Sequence, residues 1–169
     1  MTKEVVPMRS IRLSVSALIL FTCLFAVSIS AQNGSEPPSN PNYDAELAKR
    51  LGADELGMRS YVFCVLKTGP AKIEDAARRS ELFRGHFSNM GKLAEAGKLV
   101  LAGPFGDAEP WRGMYIFNVT TIEEAEELVK TDPAVEAGIF VYELKKLYGS
   151  AALMQVNEIH SKIHKKKIE

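Results

Sequence analysis

The chain has 169 residues, with 21 Lys+Arg balanced by 21 Asp+Glu, 46% hydrophobic residues and two cysteines. That length suits a single domain, and the even charge balance supplies no overall basic field of the kind a general nucleic-acid binder uses. The apolar share excludes a wholly disordered chain, and two cysteines cannot build a disulfide framework.

Residues 1–31 read as a secretory signal. Arg9 and Arg12 precede the apolar run Leu13–Val27, and Ser28-Ile-Ser-Ala31 offers small residues for cleavage; this is a positive n-region, an h-region and a cut site. The expectation is export to a periplasmic or extracellular space, with Gln32 first in the mature chain; Met8 is an alternative start. An uncleaved anchor needs ~20 predominantly apolar residues, and Ser14, Ser16 and Thr22 dilute the run. A lipid on Cys23 suits its approach, Phe21-Thr22, poorly. Once the signal is cut, no membrane attachment is expected and Cys64 is left without a disulfide partner. It lies in Tyr61-Val-Phe-Cys-Val-Leu66, where a free cysteine reads as a small buried hydrophobe.

Residues 32–57 read as linker and short helix. Pro37, Pro38 and Pro41 with no large apolar neighbour keep 32–42 unstructured, and Tyr43–Leu51 forms a helix closed by Gly52. Asn33-Gly-Ser35 and Asn118-Val-Thr120 match the glycosylation sequon, the second fortuitously, inside a strand.

Over 58–153 the pattern is strand, helix, strand, strand, helix, strand. Tyr61–Leu66 is β-branched and aromatic and closes at Thr68-Gly-Pro70. Glu74–Ala96 carries Leu82, His86, Met90 and Leu93 on one helical stripe, with Gly97 as its stop. Lys98–Ala102 and Gly113–Val119 are the next strands. Thr121-Ile-Glu-Glu124 is a capping box opening a helix that runs to Val129 and ends before Asp132-Pro133. Gly138–Leu144 is the last strand. The order βαββαβ predicts a ferredoxin-like α+β domain: a four-stranded antiparallel sheet with both helices on one face. The other face is left bare and apolar, and pairing of two chains through it, a homodimer, is the economical solution.

These segments carry a resemblance. Tyr61-Val-Phe-Cys-Val-Leu-Lys67, His86 with Gly91–Phe105, Arg112-Gly-Met-Tyr-Ile-Phe117, Glu123–Pro133 and Tyr148-Gly-Ser150 together make Met58–Leu153 resemble the YCII-related (YciI-like) family of small dimeric α/β-barrel proteins. The resemblance implies the ferredoxin-like fold, dimers, and a pocket with a His–Asp pair, here His86 and Asp132. The wider group includes a dehydrochlorinase acting on a chlorinated hydroxymuconate, which suggests a class of chemistry and no particular substrate. The signal, the linker and the basic tail 154–169 depart from its short cytosolic members.

The residues allow that chemistry. His86 lies about 40° around the helix from Leu82, at 100° per residue, inside the apolar stripe. Asp132 sits in a turn before proline. If they meet, the carboxylate orients one imidazole nitrogen and leaves the other as a general base. The plainer readings are a satisfied core histidine and a turn or capping aspartate. Among supporting positions, Arg112 could hold an anionic substrate or be a simple surface arginine. Gly103-Pro104 would shape the pocket mouth, and Tyr115 would line the cleft or fill the dimer core. No phosphate loop, Cys/His metal array or serine elbow is present, so neither metal nor cofactor is expected. His160 and His164 in the lysine-rich tail read as solvated.

The sequence thus predicts a small-molecule enzyme of lyase- or isomerase-like type, acting on a small organic acid through His86 and Asp132. The alternative is a non-catalytic ligand-binding or structural dimer module.

Overall fold

The computed structural model describes residues 40–107 and 110–166; the expected signal, its cleavage site and most of the linker lie outside them. Among the described residues there are five helices: α1 Ala45–Leu51, α2 Ala76–Glu95, α3 Ile122–Lys130, α4 Pro133–Glu136 and α5 Val156–Ile163. The strands β1 Met58–Thr68, β2 Leu99–Pro104, β3 Trp111–Phe117 and β4 Phe140–Ser150 form one antiparallel sheet in the order β2-β3-β1-β4. This is the ferredoxin-like α+β arrangement.

Local chemistry sets the helix ends. Asp75 caps α2 by accepting the Arg78 N–H at 2.6 Å, and Gly97 beyond its end takes φ +67°, where a side chain would be strained. Thr121 Oγ1 accepts the Glu124 N–H at 3.2 Å and donates to the Glu124 carboxylate at 3.1 Å. The glutamate of the expected capping box therefore meets the hydroxyl as well as supplying charge to the first turn. Gly52 closes α1 in the left-handed region.

Alternation along the strands sorts the two sheet faces. Val62, Cys64 and Leu66 of β1, with Tyr115 and Phe117 of β3, form the helix-side core with Leu99, Ala125, Val129, Ala134 and Phe140. Tyr61, Val100 and Ile116 lie on the other side with Phe63, Leu101, Met114 and Leu147.

That second face is not bare as expected. A 3₁₀ turn at Ala151–Gln155 brings Leu153 and Met154 onto it. The residues expected to be a solvated tail include α5, pinned to β2 by Asn157 Nδ2 donating to the Leu99 carbonyl at 2.7 Å. Leu153, Met154 and Val156 provide the apolar edge that the lysine run obscures. β4 also runs to Ser150, past the expected end at Leu144, because Leu147 pairs opposite Tyr61 while Lys145 and Lys146 project on either side. Toward the uncovered part of this face, Glu143 bonds Lys67 at 2.5 Å and Lys145 at 3.0 Å. The two lysines hold its carboxyl down at about 2.

Asn118 lies just beyond β3. Its carbonyl oxygen accepts from Arg59 at 2.7 Å and its amide donates to the Gly97 carbonyl at 3.0 Å, so both ends of that sequon side chain have structural partners.

Candidate functional site

Among the described residues, His86 and Asp132 are the buried polar or charged side chains, at 8% and 0% exposure. α2 turns His86 onto the sheet because it shares the stripe of Leu82, and the two are the buried residues of that helix. Asp132 is delivered from the junction between α3 and α4, where it caps α4.

The pair is in contact. His86 Nδ1 donates to Asp132 Oδ2 at 2.7 Å, and Asp132 Oδ1 accepts the Ala134 N–H at 2.9 Å. Asp132 is thus both a helix cap and a histidine partner, one oxygen for each role. Tyr115 supplies a third donor, its hydroxyl bonding Oδ2 at 3.0 Å while lying 3.3 Å from His86 Nδ1. Three donors surround the carboxylate, an arrangement that the unprotonated form accepts in full. Burial first, then the Asp132 charge and its hydrogen bond, push the Tyr115 hydroxyl upward, so it remains a donor.

With Nδ1 carrying the proton, Nε2 bears the lone pair. Nε2 has no protein hydrogen bond. Among the described residues the buried side-chain polar atom left without a partner is Arg59 Nε, so Nε2 retains a small contact with solvent. Aromatic rings enclose the imidazole: Phe87 at 5.2 Å, Phe140 at 5.5 Å and Phe83 at 6.1 Å between centroids. Such a cage limits access to the imidazole to one edge.

Among the described residues, three surface clefts border the pair and none of them is lined by it. One, of about 610 Å³, runs past Leu82, Gly85 and Pro133. Another, of about 390 Å³, lies between α2, β2 and α5 against Phe87, Met90 and Ala102. The third, of about 400 Å³, lies against Phe83 and Ile139.

The remaining expected positions separate. Tyr115 faces the helices and not the opposite sheet face, so a place in a dimer core there is excluded: it shares the side of Cys64, its register partner across β1 and β3. Gly103 and Pro104 end β2 at the base of the β2–β3 hairpin, and Arg112 is exposed at the start of β3. Cys64 is fully buried, and its thiol is pushed up to about 12 by burial and then by the Asp132 charge. The strand period would have assigned Tyr115 correctly, because Tyr115 and Phe117 alternate with Met114 and Ile116. Gly85, which touches Pro133, went unnoticed; a glycine inside a strongly patterned helix was its signal.

Among the described residues no group of three or more His, Cys, Asp or Glu side chains converges as a metal site, and no helix is long and apolar enough to cross a membrane. His160 and His164 stack with centroids 5.1 Å apart.

No curated protein matches this chain. Among solved structures it is similar to 5-chloro-2-hydroxyhydroquinone dehydrochlorinase (TftG) from Burkholderia phenoliruptrix AC1100, in complex with 2,5-dihydroxybenzoquinone. The identity is 17% and the TM-score 0.38, over 50% of this chain and 90% of that one. The YCII-related domain pattern matches residues 61–148, from within β1 to within β4 and across every element that positions the pair, and the chain belongs to that family.

Proposed function

We propose that this protein is an acid–base enzyme acting on a small organic acid, with His86 Nε2 as the proton acceptor and donor and Asp132 as its orienting partner. The carrying observation is the 2.7 Å Nδ1–Oδ2 bond together with an Nε2 that no protein group occupies. In the step that fits, Nε2 takes a proton from the carbon beside a carbonyl or carboxylate. The electron pair of the broken C–H bond forms a C=C bond, and either a leaving group departs with its bonding pair or, in an unsaturated acid, the neighbouring C=C bond opens and its displaced π pair takes the proton back from Nε2 at the far carbon. The first outcome is lyase-like and the second isomerase-like. Asp132 takes no proton; it keeps the Nδ1–H tautomer and stabilises the imidazolium while it exists.

The protein acts after export, on the strength of Arg9, Arg12, Leu13–Val27 and Ala31. It works as a homodimer joined through the part of the sheet bearing Phe63 and Met114, which Leu153 and Met154 do not fully cover.

The test is deuterium wash-in. The protein is incubated in D₂O with a panel of 2-hydroxy, 2-halo and unsaturated carboxylic acids, and carbon-bound deuterium is read by NMR. Exchange that disappears in His86→Gln and Asp132→Asn, with both variants folded, is the expected result.

One observation favours a second reading. The pair is 8% and 0% exposed and none of the three flanking clefts is lined by it, as suits a non-catalytic binding or structural module in which His86 is a satisfied core residue. Ligand-induced shifts without exchange would select the binding module. A stable, functional His86→Leu would select the structural one.

A further inference from the structure

His86 and Asp132 come from separate elements, so something must fix the spacing between α2 and α4. Gly85 immediately precedes His86, and Pro133 immediately follows Asp132. A Cβ placed on Gly85 would lie 2.9 Å from Pro133 Cγ and 3.3 Å from Pro133 Cβ. The proline ring sits against the backbone of α2 at the point where any other residue would hold it off. Gly91, in the same helix, has nothing within 4 Å of its would-be Cβ, so close approach is particular to Gly85.

We propose that Gly85 and Pro133 form the seat that sets the His86–Asp132 distance, and that Gly85 is a positioning residue for the pair. Pro133 cannot yield as a long side chain would. Its ring fixes φ, and it begins α4, whose first turn is tied to Asp132 by the Ala134 N–H bond at 2.9 Å. A carbon in contact needs ~3.5–4.0 Å, so a methyl at position 85 drives Pro133 back by roughly 0.6–1.1 Å. If Asp132 moves with it, the 2.7 Å bond opens to about 3.3–3.8 Å, beyond a normal N–H···O distance. Alanine otherwise favours a helix interior over glycine, so the same change at Gly91 strengthens α2 and leaves the pair alone.

This deepens the acid–base reading of the site, but its test reads the geometry of the pair and does not depend on turnover. The full chain labelled with ¹⁵N is compared as wild type, Gly85→Ala, Gly91→Ala and Gly85→Ala/Pro133→Ala, following the Nδ1-bound proton of His86 by NMR and assigning it through its loss in His86→Gln. A downfield, exchange-protected signal is expected in wild type and Gly91→Ala, lost in Gly85→Ala, and regained when Pro133→Ala removes the ring. A folded Gly85→Ala that keeps the signal overturns the proposal, as does a double variant that fails to regain it. Should Gly85→Ala not fold, the double variant decides. Folded with the signal, it supports the seat; unfolded, or folded without the signal, it refutes it.

Discussion

Asp132→Asn replaces one oxygen of the carboxylate by an amide nitrogen at nearly constant volume. The asparagine has one acceptor where three donors converge: the Ala134 N–H at 2.9 Å on one side, and His86 Nδ1 at 2.7 Å and the Tyr115 hydroxyl at 3.0 Å on the other. Keeping the oxygen on the Ala134 side retains the α4 cap and points an amide N–H at the imidazole. His86 can accept it only by moving its own proton from Nδ1 to Nε2. The variant therefore inverts the tautomer and removes the lone pair from the exposed nitrogen. Charge-assisted hydrogen bonds contribute ~1.5–3 kcal/mol each and neutral ones ~0.5–1.5, so converting the two on Oδ2 costs about 2–3 kcal/mol. The assay pairs ¹⁵N chemical shifts of the imidazole, which distinguish the protonated from the unprotonated ring nitrogen, with urea unfolding. A His86 still protonated at Nδ1 in the folded variant would refute the reasoning. A variant more stable than wild type would show that desolvating the Asp132 charge outweighs its bonds.

Further outcomes are specific. The Cys64 thiol, pushed up to about 12 from an ordinary value near 9 by burial and then by the Asp132 charge, should be inert to thiol reagents at pH 8 until urea unfolds the chain. Because the folded form holds this proton more tightly, its contribution to stability is complete below pH ~9 and falls away as pH rises toward 12. Alkaline unfolding should therefore be steeper in wild type than in Cys64→Ala. Phe117→Ala empties a fully buried site in the helix-side core and should cost about 3–5 kcal/mol in urea unfolding. Met114→Arg on the partly uncovered sheet face should shift sedimentation from dimer to monomer with unchanged circular dichroism. Monomeric wild type would remove the dimer proposal.

Two elements were legible from local sequence alone. Tyr61–Leu66, apolar on both faces, reads as a strand from its β-branched and aromatic content, and the stripe of Leu82, His86, Met90 and Leu93 states its helical period. The ends of β4 and the helix α5 were not. Lys145-Lys146 and the lysines after Lys162 read as solvent-facing, and in β4 they are; pairing with β1 settles the strand, and that partner is over eighty positions distant. α4 is four residues long, too short for any period, and Pro133 signals an interruption equally well as a first helical turn. At the site, residue types alone pointed to His86 and Asp132 separately, and it was the family resemblance that paired them. Their meeting depends on Gly85 and Pro133 touching across forty-odd residues, which composition and spacing do not encode.

The placement of the pair also bears on how the molecule folds. His86 belongs to the first βαβ unit, β1–α2–β2, whereas Tyr115 and Asp132 belong to the second. Neither half pairs its own two strands: β1 pairs with β3 and β4, and β2 with β3, so every ladder of the sheet joins one half to the other. The buried network closes only when the two halves pair across the β1–β3 seam, a non-local event of the kind that slows folding. A partly assembled chain then has no oriented imidazole, and the Nδ1–H···Oδ2 bond reports that assembly is complete.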